Sequence, residues 1–346
     1  MRAAVLHGVR QPLSIETVAD PDCPPNGVVV RVLSSGVCRS DWHVWSGGDA
    51  IALPLIPGHE YCGEVVAAGA NVQRWRVGDR VIAPFILACG QCPSCASGHQ
   101  TTCATQVLPG FNCNGSFAEF LAVPHADANL TALPDELAPP LAAALGCRVT
   151  TAWHALTDRA ALRAGETVAI FGGGGIGLSV LLLAKGLGAR VIVVDIDADK
   201  LLYAKGLGAD LTVDASKTDA VSVIHAWTNG GADLSIEALG MPQTTIPALK
   251  ALGKLGRMVQ VGMPAGDHTV MPIPMDVVYG QQLSVFGTRG MPAWKYPSLL
   301  SFIQTAKIDL TPLVTRTIAL SQASEAVAAF DAPAPPGIAV ITDFAG

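Results

Sequence analysis

The chain has 346 residues, a formal net charge of −6, and 50% hydrophobic against 14% charged side chains. That length implies two domains rather than one hydrophobic core, and the acidic balance offers no basic face for a phosphate backbone, which argues against nucleic-acid binding. Gly, Lys or Arg interrupts every apolar run short of the roughly 18–20 residues of a membrane span, and the first residues lack a signal-peptide core, so a soluble cytoplasmic protein with no membrane partner is expected.

Short β-branched runs at 3–7, 13–18 and 28–32, broken by Pro and Gly, predict an antiparallel, barrel-like start. Cys38-Arg39-Ser40-Asp41-Trp42-His43 follows, and after a Pro-bounded loop comes Pro57-Gly58-His59-Glu60. A thiol and an imidazole are two of the three ligands of a Cys₂His catalytic zinc, which keeps its fourth position open. Ser40, Asp41 and His43 supply the hydroxyl, carboxylate and second imidazole that such a site needs to move a proton. Taken alone, Cys38 and His59, 21 positions apart, read more readily as unrelated core and surface residues, and the rest of the chain reverses that balance.

All nine cysteines lie between Cys23 and Cys147. An odd count in a long chain disfavours a disulfide framework, and clustered thiols point to metal. Cys89, Cys92 and Cys95 stand two residues apart, and Cys103 follows. Four thiolates leave no open position, so this loop predicts a structural zinc; an iron–sulfur cluster or a redox Cys-x-x-Cys is the alternative, but the rest of the chain is unlike a ferredoxin. A helix is expected at 141–145, after Pro139-Pro140. Cys147, taken alone, reads as a small buried hydrophobe.

From Gly165 the rhythm changes to strand and helix. A buried strand at 167–171 runs into Gly172-Gly173-Gly174-Gly175-Ile176-Gly177, then an apolar helix at 178–187 and a strand at 190–194 that ends on Asp195. This is the dinucleotide fingerprint in its required context: Gly172 for the tight turn, Gly174 for close approach of the pyrophosphate, Gly177 for packing helix on strand. Gly175 and Ile176 open the helix whose N–H groups face the phosphates. Asp195 is placed for the adenosine ribose hydroxyls and repels a 2′-phosphate; no Arg follows it, which favours NAD over NADP, and Lys200 adds a second ribose contact. Alternating units continue to a strand at 283–287 and predict a doubly wound parallel sheet, with a turn at 262–264 where such sheets bind ligands. Helices at 296–306 and 322–330 and a strand at 338–342 close the chain.

On Gly36-Val37-Cys38-Arg39-Ser40-Asp41-Trp42-His43, Gly58-His59-Glu60-Tyr61-Cys62-Gly63, Gly78-Asp79-Arg80-Val81, the four-cysteine loop and the glycine turn, the chain resembles the zinc-dependent alcohol dehydrogenases of the medium-chain dehydrogenase/reductase superfamily. The likeness covers essentially its whole length. It implies an α/β fold: a Rossmann doubly wound parallel sheet plus a GroES-like, partly β-barrel catalytic domain. The catalytic domain would take 1–148 and 287–346, with the NAD-binding domain at 149–286. It also implies two zinc ions per chain, a catalytic one on Cys38, His59 and Cys147 and a structural one on Cys89, Cys92, Cys95 and Cys103. Glu60 matches a carboxylate near the catalytic metal, and Asp41 the partner that orients His59.

The implied reaction is NAD-dependent, reversible oxidation of a small primary or secondary alcohol to the carbonyl compound. The proton leaves through Ser40, the nicotinamide ribose and His43. Arg39 matches a pyrophosphate contact, Thr151 a residue near nicotinamide and Val261 a backbone contact to the carboxamide, while Phe85 and Met263 match the substrate pocket. Polyol dehydrogenases usually replace the third ligand with Glu, the quinone reductase branch lacks the zinc motifs, and a non-catalytic NAD- or zinc-binding scaffold would have no use for a proton relay. The short link from Cys103 to Gly115 resembles homotetrameric relatives more than dimeric ones. One departure stands out: Pro336-Gly337-Ile338-Ala339-Val340 has Ile338 where many relatives carry a pyrophosphate-touching arginine.

Overall fold

Strand pairing in this protein follows from which faces of each strand are buried. The computed structural model describes residues 1–48, 51–332 and 335–346. β1 (Arg2–Val5) and β2 (Ser14–Thr17) pair antiparallel. β3 (Val28–Val37), β4 (Glu60–Ala68), β5 (Arg80–Ile82), β6 (Phe120–Val123) and β7 (Thr131–Ala132) form an antiparallel sheet, with β4 and β6 both paired to β3. The β3–β4 register sets Gly36 opposite Glu60. Cys38, just past the end of β3, and His59, just before β4, therefore arrive at the same end of neighbouring strands.

The chain then builds a six-stranded, all-parallel sheet from β8 (Thr167–Phe171), β9 (Arg190–Asp195), β10 (Leu211–Asp214), β11 (Ala232–Glu237), β12 (Leu252–Gln260) and β13 (Ser284–Gly287), in the order β10-β9-β8-β11-β12-β13. Alternate residues of its central strands feed two separate cores. Val168, Ile170, Val191 and Val193 pack on one face, against the helices Arg148–His154 and Gly175–Gly186. Ala169, Phe171, Ile192 and Val194 pack on the other, with Ile224 and Leu249 from the helices Ala220–Thr228 and Pro242–Lys250. Burial on both faces explains why these strands read as unbroken apolar runs without alternation.

β14 (Val314–Ala319) and β15 (Ile338–Asp343) rejoin the first sheet, where Ala339, Val340 and Ile341 pair with Val37, Gly36 and Ser35. The C-terminal end of the chain thus supports the strand that leads into Cys38. No helix among the described residues is long and apolar enough to cross a membrane.

Several elements differ from expectation. The Cys38 stretch, for which no element was expected, opens a helix, Arg39–Ser46, whose start is fixed by the Cys38 N–H donating to Asp41 Oδ2 at 2.8 Å. Two turns are too short for a legible apolar period. β3 runs on through Ser34, Ser35 and Gly36, which look like turn residues; the two serines stay buried because Ser34 donates to the Pro139 carbonyl at 2.5 Å and Ser35 pairs with Ser116 at 2.7 Å. β14 and the helices Arg148–His154 and Met275–Gln281 carry no pattern that announced them.

A Cβ on Gly177 would lie 1.9 Å from the Gly172 carbonyl oxygen. Backbone cannot yield there, so Gly177→Ala is expected to cost at least the roughly 1–3 kcal/mol of an overpacked core and lower the thermal midpoint, read by calorimetry.

Candidate active site

Three segments distant in sequence meet where the β3–β4 end faces the parallel sheet. Cys38 caps the helix Arg39–Ser46, His59 precedes β4, and Cys147 caps the helix Arg148–His154. The ligand atoms of Cys38, His59, Glu60 and Cys147 all lie within 4.8 Å of one another, and all four residues are buried. His59 Nδ1–H donates to Asp41 Oδ1 at 3.0 Å, which turns Nε2 toward the thiols, where it is buried without a hydrogen-bond partner. An orphaned imidazole nitrogen facing two thiols is a donor set that fits a divalent zinc with room for one more ligand.

Charge in this cluster is tightly balanced. A hydrogen bond between the two thiols lowers Cys38 and raises Cys147. Burial works against a charged His59, but the Asp41 carboxylate and Cys38 outweigh it and raise its pKa. Burial pushes the Glu60 carboxyl up to about 8 while the Arg148 guanidinium pulls the other way. Arg148, with its Nε 3.4 Å from Glu60 Oε1, went unnoticed in the sequence because a charged residue beside a cysteine has no signature.

In the second cluster the Cys92–Cys95, Cys92–Cys103 and Cys89–Cys95 sulfur separations are 3.5, 3.9 and 4.0 Å. Disulfide sulfurs sit about 2.05 Å apart, whereas zinc–sulfur bonds of about 2.3 Å at tetrahedral angles set sulfur edges near 3.8 Å. The spacing fits a closed four-thiolate zinc. Backbone N–H groups of Gln91 and Cys92 hold the Cys89 thiol down to about 6, which readies it as a thiolate, while burial raises Cys95 to about 12.

At the glycine turn, Gly172 has φ +112°, open only to glycine at low cost. No side chain caps the helix Gly175–Gly186, and a Cβ on Gly174 would meet nothing within 4 Å, so the first-turn N–H groups face open space. Ile176 packs partly buried beside the sheet. Asp195 accepts from Gly173 N at 2.6 Å, Ile196 N at 2.8 Å and Asp197 N at 3.0 Å. A carboxylate has about four acceptor sites, which leaves one for a hydroxyl. Asp195 and Lys200 line a cavity of about 850 Å³ together with Arg39, and Lys200 also faces Asp197 at 3.7 Å. No arginine follows Asp195 closely along the chain, and Arg39, from the helix after Cys38, lines the same cavity.

Ser40 lies beside the first cluster, 3.8 Å from Cys38 Sγ. His43, three residues on and so on the same helix face, lines an adjoining cavity of about 540 Å³ with Trp42 and Met263. Phe85 packs against Cys38 and Cys147, and its ring meets His59 edge-on at 5.8 Å. Phe111, which the sequence did not single out, stands 5.2 Å from the same imidazole. Thr151 is buried with its hydroxyl unpartnered, and Val261 N donates to the Glu237 carbonyl at 2.9 Å. Ile338 sits in the core at 1% exposure.

Comparison with known proteins agrees with this geometry. The alcohol dehydrogenase GroES-like domain family matches residues 24–135, and the zinc-binding dehydrogenase family matches residues 175–305. An alcohol dehydrogenase of Geobacillus stearothermophilus is 37% identical over 84% of this chain and 85% of its own. The sorbitol dehydrogenase of Bacillus subtilis is 31% identical over 94% of this chain and 92% of its own. A zinc-binding dehydrogenase from Sinorhizobium meliloti, solved with NADP bound, superposes with a TM-score of 0.87 at 28% identity, covering 99% of this chain and 98% of that one.

Asp41→Asn keeps the shape but removes the charge that holds His59. Loss of such a partner costs about 10–100-fold in metal affinity, so the zinc-loaded variant should release metal held by the Cys38, His59 and Cys147 set that much more readily than the parent, as metal analysis after chelator treatment would register.

Proposed function

The chain belongs to the zinc-dependent alcohol dehydrogenases of the medium-chain dehydrogenase/reductase superfamily, and from that premise we propose that it oxidises a primary or secondary alcohol reversibly to an aldehyde or ketone, with NAD taking the hydride. The observation that carries this reading is the convergence of Cys38, His59 and Cys147, with a partnerless Nε2, at the edge of the glycine turn. Zinc on those three ligands would supply Lewis acidity that makes a bound alcohol easier to deprotonate. The rest falls to the chain's own groups.

Asp41 holds the His59 ring and its tautomer. Phe85 and Phe111 crowd the imidazole and keep water from the reacting atoms. Ser40 would accept the alcohol proton as it gives up its own hydroxyl proton, and His43, further along the same helix face, would release a proton to solvent. An imidazole, the side chain best able to change charge near neutral pH, suits that last transfer. The helix N-terminus at Gly175 and the Arg39 guanidinium suit the cofactor phosphates, and the Asp195 carboxylate suits the adenosine ribose. The hydroxyl of Thr151 and the backbone of Val261 suit the nicotinamide end. Ser40, smaller than a threonine, leaves room for secondary or bulky alcohols.

A panel of primary, secondary, benzylic and polyol substrates, followed by NADH absorbance, tests the reaction; no turnover with any of them in zinc-replete protein would refute it. Because a like charge against Asp195 costs several kcal/mol, NAD should exceed NADP in kcat/KM by roughly 100-fold or more, and equal rates would remove Asp195 from its role. Replacing His43 by Gln should slow turnover by up to roughly 100-fold at low pH, with the deficit shrinking as hydroxide takes over at high pH. A pH profile parallel to the parent's would take His43 out of the relay.

A further inference from the structure

We propose that Arg148 is a positioning residue that ties the dinucleotide turn to the metal-ligand cluster, an assignment that rests on the reading above. Arg148 is the first residue of the helix after Cys147, and its side chain is 6% exposed. One guanidinium edge donates to the Val37 carbonyl at the end of β3. Nε faces Glu60 Oε1 at 3.4 Å, and the charge is attracted in turn to Cys38 and Cys147. Nη1 is buried with no partner. A guanidinium taken this far from water is costly unless anions surround it, and here the anions are the groups that would hold the metal.

Glu60 has no other cation within ion-pairing distance among the described residues, and both its oxygens lack hydrogen bonds. The space it uses is reserved on the opposite side too, since a Cβ on Gly36 would lie 2.3 Å from Glu60 Oε2. Held between Gly36 and Arg148, the carboxylate stays beside the two thiols.

The stem of the same side chain reaches the cofactor turn. A Cβ on Gly175 would lie 2.6 Å from Arg148 Cδ and 3.0 Å from Nε. Gly175 is the first residue of the helix whose N-terminus faces open space. Glycine at 175 therefore makes room for Arg148 as much as for a phosphate. A displacement of the turn would press on Arg148 and, through it, on Glu60. Cofactor turn and metal ligands are coupled by one side chain.

The test uses the full chain with zinc in both sites, and with cobalt(II) exchanged into the more labile one. Four proteins are compared: the parent, Arg148→Gln, Arg148→Lys and Gly175→Ala. Readouts are the rate at which the more labile ion passes to a chelator, the visible cobalt spectrum with and without NADH, and the thermal midpoint. Arg148→Gln should lose that ion about 10–100-fold faster while the four-cysteine ion stays, as expected for removing an outer partner of a metal site. Arg148→Lys, which restores charge but not reach, should recover part of the loss. Gly175→Ala touches no ligand yet should shift the cobalt spectrum and change its response to NADH. Parent-like retention and spectra in Arg148→Gln and Gly175→Ala would overturn the proposal, as would equal losses in the Gln and Lys variants. If Arg148→Gln does not fold, the Lys and Gly175→Ala variants decide by the same readouts. Parent-like variants of an enzyme that turns over alcohol sink this inference alone; altered cobalt spectra in a protein that reduces no NAD with any alcohol sink the proposed reaction alone.

Discussion

A single buried carboxylate sets the geometry on which this protein depends. Asp41 is fully inaccessible, yet it accepts from Cys38 N at 2.8 Å, Gly58 N at 3.1 Å and His59 Nδ1 at 3.0 Å. Hydrogen bonds to a charged group contribute about 1.5–3 kcal/mol each, and a buried carboxylate deprived of them costs several. Once Asp41 is inside, all three have to form together. That requirement fixes the first turn of the helix that carries Ser40 and His43, the path of the loop through Gly58, and the tautomer of His59. The Cys38 and His59 side chains are thus arranged by folding itself.

The two thiol clusters are built on opposite plans. Cys89, Cys92, Cys95 and Cys103 lie within one short loop, so their approach closes little chain and depends on no sheet. Cys38, His59 and Cys147 come from three elements and are brought together only when β3, β4 and the helix Arg148–His154 are in register. The local cluster can order its loop as soon as it binds an ion. The dispersed one reports on the tertiary fold, and it alone sits against the glycine turn, where Gly175 meets Arg148.

That contrast also explains what the sequence could convey. Short spacings are legible because the chain itself limits where the residues go: the four-cysteine loop and the turn Gly172–Gly177 needed only local rules. The βα rhythm was legible because burial on both faces removes alternation. Cys147 was not, since nothing local marks it, and its assignment came from resemblance to a family. Arg39 on the Asp195 cavity, Phe111 against His59 and Arg148 against Glu60 depend on the meeting of elements far apart in sequence. The helix Arg39–Ser46 was hidden for a different reason: its start is fixed by a side chain, not by a periodic apolar face.

The departure at Ile338 gains a physical context from these contacts. Ile338 is enclosed in apolar core, where a cation would have no water and no partner. Its neighbour Ala339 pairs with Val37, and the Val37 carbonyl is the group that receives Arg148. A positive charge thus enters this corner of the sheet from the helix side rather than from the last strand. Arriving from there, it passes beside Gly175, where a Cβ would lie 2.6 Å from Arg148 Cδ, and reaches Glu60 through Nε. An arginine on β15 would be free of that constraint. Placing the cation on the residue after Cys147 makes its position depend on the cofactor turn and on a metal-facing thiol at once, so neither can move without the other being felt.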